Sequence, residues 1–161
     1  MLKLARNMSQ VPFSQLKKVY EQSIKLSARR DYPGMDDGLL QAEMDLYDYF
    51  RGVFFKTPGA YLCMWEEEGS VVSVLRLEPY RDGLLVTGLE TAPNHRGRGY
   101  ASALLSASCA MLQPGMPVYA HIHRSNLASA AVHKKCGFEI IANYSKLLDG
   151  SVSSFYDTFR R

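Results

Sequence analysis

Between Leu84 and His123 the spacing of apolar residues changes twice, and this constrains the fold more than any other feature of the chain. Leu84 to Thr91 reads as an extended strand. From Tyr100 to Leu112 one stripe holds Ala101, Leu104, Leu105, Met111 and Leu112, the offsets of an amphipathic helix, with small, polar Ser108 in its middle. Pro114-Gly115 stops that helix, and Pro117 to His123 returns to strand. Strand, helix and strand predict a crossover unit with two parallel strands. Ligands often bind at the strand ends of such units.

The remaining segments predict what surrounds this unit. Leu2 to Ala5 is a short first strand. A helix over Pro12 to Ser27 carries Phe13, Leu16, Tyr20 and Ile24 on one stripe and is broken at Tyr32-Pro33-Gly34. A second helix starts at Asp36 or Asp37, with Leu40, Met44, Tyr47, Phe50 and Phe54 as its apolar face, and ends at Pro58-Gly59. Ala60 to Trp65 and Val71 to Leu77 are strands, separated by a turn at Glu68-Gly69-Ser70. A hairpin turn at Arg81-Asp82-Gly83 leads into the Leu84 strand. Asn126 to Cys136 is a short helix capped by Asn126 or Ser125 and ended by Gly137. Phe138 to Tyr144 and Ser151 to Thr158 form a last hairpin around Asp149-Gly150. The expected fold is α/β (α+β): a mixed, mostly antiparallel sheet of six to seven strands flanked by about four helices, in a single domain over residues 1–161.

At 161 residues, 47% apolar and 22% charged, the chain suits one ordinary core. A net charge of +3 without a lysine-rich block is too mild to argue for nucleic acid or membrane, and neither is expected as a partner. No apolar run is long enough to span a bilayer, and Met1 to Met8 lack a signal core. Cys63, Cys109 and Cys136 are odd in number, far apart and without metal spacing, as in a reducing compartment. The expectation is a cytoplasmic protein.

The chemistry concentrates in Arg96-Gly97-Arg98-Gly99, between the Leu84 strand and the Tyr100 helix. The glycines allow unusual dihedrals and close backbone approach. The helix start offers unpaired N–H groups at the positive end of its dipole. Two arginines add forked cationic donors. A phosphate would be well held there; a tight turn with solvated arginines accounts equally well for a bare Gly-x-Gly. The phosphate loop of nucleotide hydrolases needs longer glycine spacing followed by Lys and Ser or Thr, and the dinucleotide fingerprint needs a third glycine where this chain has Ser102.

Arg96 through Ala101 resembles the Arg/Gln-x-x-Gly-x-Gly/Ala signature of the GNAT superfamily of N-acetyltransferases. Thr91-Ala92-Pro93 is similar to the Val-x-Pro before it, and Asn126 through Lys135-Cys136-Gly137-Phe138 is similar to the family's Asn-led helix ending in Lys-x-Gly-Phe. The resemblance implies acetyl transfer from acetyl-CoA, without a metal, to a primary amine of a small molecule or peptide by direct attack. It implies cofactor contacts from Leu89, Thr91, Arg96, Gly97, Arg98, Gly99, Tyr100, Ala101 and Asn126. It also implies a bulged strand splayed from its parallel neighbour, with the pantetheine arm along Leu89 to Thr91 and a backbone N–H near Leu89 polarising the thioester carbonyl. An alternative is a non-catalytic module of the same fold that binds acyl-CoA as a sensor or partner domain.

Glu90, in the strand beside the expected thioester, is the candidate base, directly or through water; a solvated glutamate or a local ion pair are the plain readings. The family's thiolate-assisting Tyr is replaced by His133, the candidate acid, seven residues from Asn126 on the same helix face. Tyr144 and Tyr119 are alternative hydroxyl donors. Tyr119, His121 and His123 share a strand face, but no third ligand at metal spacing accompanies them. Asp36, Asp37, Glu43, Asp45 and Asp48 would attract a cationic acceptor if they lined the site, although a solvated helix face explains them as well. The sequence leaves the acceptor, nitrogen or oxygen, the acyl length and the oligomeric state, a homodimer included, open.

Overall fold

A computed structural model describes residues 1–161. Its sheet begins at β1 (Leu2–Ala5), which pairs antiparallel with β2 (Tyr61–Glu67); β2 continues the meander into β3 (Ser70–Tyr80) and β4 (Gly83–Thr91). The turn between β2 and β3 puts Glu68 and Gly69 both at positive φ, 48° and 76°, the handedness that suits a two-residue hairpin loop. Then comes the crossover: α4 (Tyr100–Ala110) carries the chain to β5 (Val118–His123), which lies parallel to β4. After α5 (Leu127–Lys135), β6 (Glu139–Ala142) forms the far edge, and β9 (Tyr156–Arg160) inserts between β5 and β6. The order is β1-β2-β3-β4-β5-β9-β6. The strand number, the antiparallel majority and the one parallel pair are as the sequence predicts.

Three elements depart from the sequence reading. The first predicted helix is two: α1 (Phe13–Val19) and α2 (Glu21–Asp31) meet at Tyr20, whose φ of −84° and ψ of 10° break the helical run. Tyr20 is buried there, its ring beside Phe50 and its hydroxyl donating to the carbonyl of Gly88, 3.2 Å away. This tertiary anchor overrides a continuous apolar stripe.

The next helix, α3 (Gly38–Gly52), stops before Pro58 and buries only part of the expected face: Phe50, and Phe54 just past its end, are fully buried. Leu40 and Met44 are half-exposed, while Gly38, Ala42 and Phe50 are buried and Leu46 and Tyr49 pack beside them. Close approach selects small residues: a Cβ on Gly38 would stand 3.0 Å from the Cβ and carbonyl oxygen of Tyr32. A hydropathy pattern misses a contact made by glycine and alanine.

The last hairpin is likewise divided. β6 pairs with β9, and the tip around Asp149-Gly150 forms its own ribbon from β7 (Ser145–Lys146) and β8 (Val152–Ser153). No helix of the chain is long and apolar enough to cross a membrane.

Candidate active site

The cleft originates in the sheet itself. β4 and β5 pair at only three positions, ending at Val86 opposite Ala120. Beyond this point β5 stays paired with β9, and the facing edge of β4 is without a strand partner. On its other edge β4 bulges: Val74 faces Glu90 and Arg76 faces Thr87, so Leu75 opposes both Gly88 and Leu89. Gly88 sits at φ 55°, a conformation that favours glycine. The strands part into an opening of about 830 Å³, bounded by β4, the Arg96–Gly99 loop, the start of α4, α5 and one side of α2. All the candidate residues except Arg98 line this one cleft: Glu90 and His133, and Leu89, Thr91, Arg96, Gly97, Gly99, Tyr100, Ala101 and Asn126. Arg98 is exposed.

One end is a cradle of backbone donors. Gly97 and Gly99 take φ of 76° and 83°, and nothing lies within 4 Å of a Cβ built on either, so glycine is there for dihedral freedom rather than space. None of the six N–H groups from Gly97 to Ser102 meets an acceptor within the protein. They are the orphan donors of a helix start, extended by a loop. Arg96 is committed to holding that loop: its Nε donates to the Thr91 carbonyl at 3.1 Å and its guanidinium to Gln22 of α2 at 2.5 Å. Arg98 makes no such contact.

Glu90 lies farther along β4. Ser23 of α2 donates to its Oε1 at 2.6 Å. Burial pushes the carboxyl above the usual glutamate range, opposed by the Ser23 hydrogen bond and by the charges of Arg76 and Arg96. On the α5 wall, Asn126 caps the helix by accepting from the Ser129 N–H at 3.1 Å. His133 is 2% exposed and packs edge-on against Phe138. Its Nδ1 lies 2.8 Å from the Ser129 carbonyl, an acceptor, so Nδ1 carries the hydrogen and Nε2 a lone pair. That Nε2 is buried without a partner. Burial also holds its pKa below the usual histidine range, with the Ser129 bond opposing.

The chain matches the sequence model of the acetyltransferase (GNAT) family over residues 22–138. It belongs to that family. Among curated proteins no sequence matches. Solved structures share the fold at low identity. PaiA N-acetyltransferase from Thermoplasma acidophilum, solved in complex with coenzyme A, aligns over 100% of this chain and 98% of its own with TM-score 0.63 and 12% identity. A ribosomal-protein-alanine N-acetyltransferase from Brucella melitensis aligns over the same shares at TM-score 0.64 and 19%. An N-acetyltransferase from Staphylococcus aureus Mu50 aligns over 100% and 96% at 0.62 and 18%. Membership in the GNAT family makes the chain an acetyltransferase.

Several residues of this GNAT cleft have no motif to announce them. Gln22, Ser23 and Leu26 enter from α2, and Tyr20 and Arg76 stand behind the bulge. They stand 20 or more positions before Arg96 in the chain, and only the tertiary fold brings them to or behind the cleft. Other expected contributors stand elsewhere. The acids of α3 do not line the cleft: Glu43 pairs with Lys17 at 2.5 Å, Asp45 accepts from Tyr32 at 2.5 Å, and Asp48 meets Arg51 at 3.3 Å. The Tyr119 hydroxyl donates to Asp82 at 2.6 Å, and neither it nor Tyr144 lines the cleft. His121 does line it, with Nε2 3.2 Å from the Tyr80 oxygen, while His123 bonds Ser125.

Proposed function

We propose that the cleft takes acetyl-CoA as co-substrate and that Glu90 accepts a proton from a primary amine of a small molecule or peptide. The supporting observation is the run of six unpartnered amides from Gly97 to Ser102 at one end of a cleft whose lining contains a single carboxylate, Glu90. Six unpartnered N–H groups in and beside a helix start suit a pyrophosphate. The unpaired edge of β4 from Leu89 to Thr91 offers backbone groups to the amides of a pantetheine arm. Tyr100, Ala101 and Asn126 line the walls between.

Acetyl-CoA supplies the activated acyl group; the chain supplies orientation and a proton acceptor. An amine arrives as ammonium at neutral pH and must lose its proton before it can attack. A carboxylate whose pKa is raised by burial is a better acceptor for that proton than a solvated one, directly or through a water. His133 does not serve as the acid in this reading: its one hydrogen is bonded to Ser129 and burial disfavours a second. A thiol is acidic enough, at about 8.5, to leave with little help.

Calorimetric titration with acetyl-CoA, with ATP and NAD as controls, tests the co-substrate. Selective micromolar binding and thiol release in the presence of one member of an amine panel are the expected results. Equal binding of ATP, or none of acetyl-CoA, would remove the assignment.

A further inference from the structure

Behind the cleft a guanidinium is held without an ionic partner. Arg76 lies on β3 opposite Thr87, two residues from Val74, whose partner is Glu90. Strand alternation therefore places Arg76, Glu90 and Glu78 on one face of the sheet. No carboxylate oxygen comes within 4.0 Å of Arg76, and its Nε is buried without a hydrogen-bond acceptor. Its guanidinium carbon lies 5.1 Å from the ring centroid of Tyr49 and 6.0 Å from that of Phe50. Gly88 makes the room: a Cβ there would stand 2.7 Å from both Nε and Nη2. A bulge, a glycine and two aromatic faces thus seat a cation that structure alone does not require, since an apolar side chain would fill the same space without the desolvation penalty.

We propose that Arg76 is a positioning residue whose fixed charge sets the ionisation of Glu90; this rests on the reading of Glu90 as the base. The requirement is physical. Burial favours the protonated form of a carboxyl, and a protonated carboxyl is no base, so a buried base needs a compensating positive charge nearby. The groups that face Glu90 are Ser23 and Tyr20 from the helical side, Arg76 from β3 and Arg96 from the loop. Those that face Arg76 are Glu78, Tyr49, Tyr20 and the Gly88 backbone. Arg96 is exposed and spends its donors on Thr91 and Gln22, so solvent screens its charge. Arg76 is the sheltered cation, and the aromatic faces keep it from relaxing onto either carboxylate. Its charge lowers the Glu90 pKa towards the operating range while burial raises it.

The test compares pH profiles of kcat/KM for wild type, Arg76→Met, Arg76→Lys and Glu90→Gln, with a ¹³C-carboxyl NMR titration of Glu90 in the first three. The acidic limb should move up by about one pH unit in Arg76→Met, return close to wild type in Arg76→Lys, and vanish in Glu90→Gln. If Glu90→Gln keeps the limb, the base assignment fails, and the NMR titration alone decides on Arg76. A Glu90 resonance that titrates alike in wild type and Arg76→Met overturns the proposal in either case. Should Arg76→Met not fold, Arg76→Gln removes the same charge and is read in the same way.

Discussion

The two faces of the sheet bury clusters of equal size, fifteen residues each, yet they are built on different principles. The α4–α5 face draws on residues from Tyr61 to Phe159, but its site-forming part is one crossover, β4-loop-α4-β5, whose glycines and amides are consecutive in the chain. Function there is a property of local backbone. The α1–α3 face is assembled from Ala5 to Ala92, and its contributions to the cleft arrive singly: Ser23 to Glu90 across 67 residues, Arg96 to Gln22 across 74, Tyr20 to Gly88 across 68. Function there is a property of packing. The local side should fail when a single backbone position is blocked, the packed side when a contact is displaced.

Gly99→Glu should have the largest effect. The side chain puts a negative charge among six N–H donors that have no acceptor within the protein, and acetyl-CoA affinity should fall at least about a hundredfold, the equivalent of ~2.7 kcal/mol. Gly99→Ala controls for the strain of φ 83° without the charge. Calorimetry of both, with circular dichroism to verify folding, checks it; undiminished binding by Gly99→Glu would place the phosphates elsewhere.

The same contrast decides what could be read from sequence. The Arg96–Ala101 loop, the crossover and the Asn126 cap were legible because each is written in consecutive residues with a fixed geometric meaning. Glu90 was legible as a carboxylate next to that loop; its hydrogen-bond partner Ser23 and its neighbour Arg76 were not, because they carry no signal except their place in space. The first half of the α3 face is hidden for a related reason: Leu40 and Met44 are more apolar than Gly38 and Ala42, but the tight approach of Gly38 to Tyr32 selects for size, whereas Phe50 and Phe54 are buried as their pattern predicts. The helix break at Tyr20 lies inside a well-formed 3.6-residue stripe and becomes visible only once the Gly88 carbonyl is in place.

On the packed side Gly88→Ala should give an intermediate effect. Alanine at φ 55° is strained, and its Cβ would displace the Arg76 guanidinium from the two aromatic rings. Stability should fall by about 1–3 kcal/mol, read by urea denaturation. In an Arg76→Met background the flexible thioether yields, leaving only the backbone strain, so the loss should be smaller. Equal losses in both backgrounds would show that Gly88 serves the bulge alone and not the seating of Arg76.

The smallest effect is expected at His133, buried on α5 against Phe138 and Phe159. The native state holds its pKa below the unfolded value of ~6.5. Between the folded and unfolded pKa values the unfolded chain therefore binds more protons, and stability falls as pH drops below ~6.5. His121, also lowered by burial, adds a fall of the same sign, but it is present in both proteins and cancels in a comparison. Phenylalanine fits among Phe138 and Phe159 and removes the unpartnered Nε2. His133→Phe should match wild type within about 1 kcal/mol at pH 8 and become the more stable of the two as pH falls through 6 towards 5. Its kcat should stay within about threefold, since a buried neutral imidazole has no spare proton to give. A hundredfold loss of kcat, with KM unchanged and folding intact, would restore the proton-donor role to His133 and make the α5 wall a reacting surface.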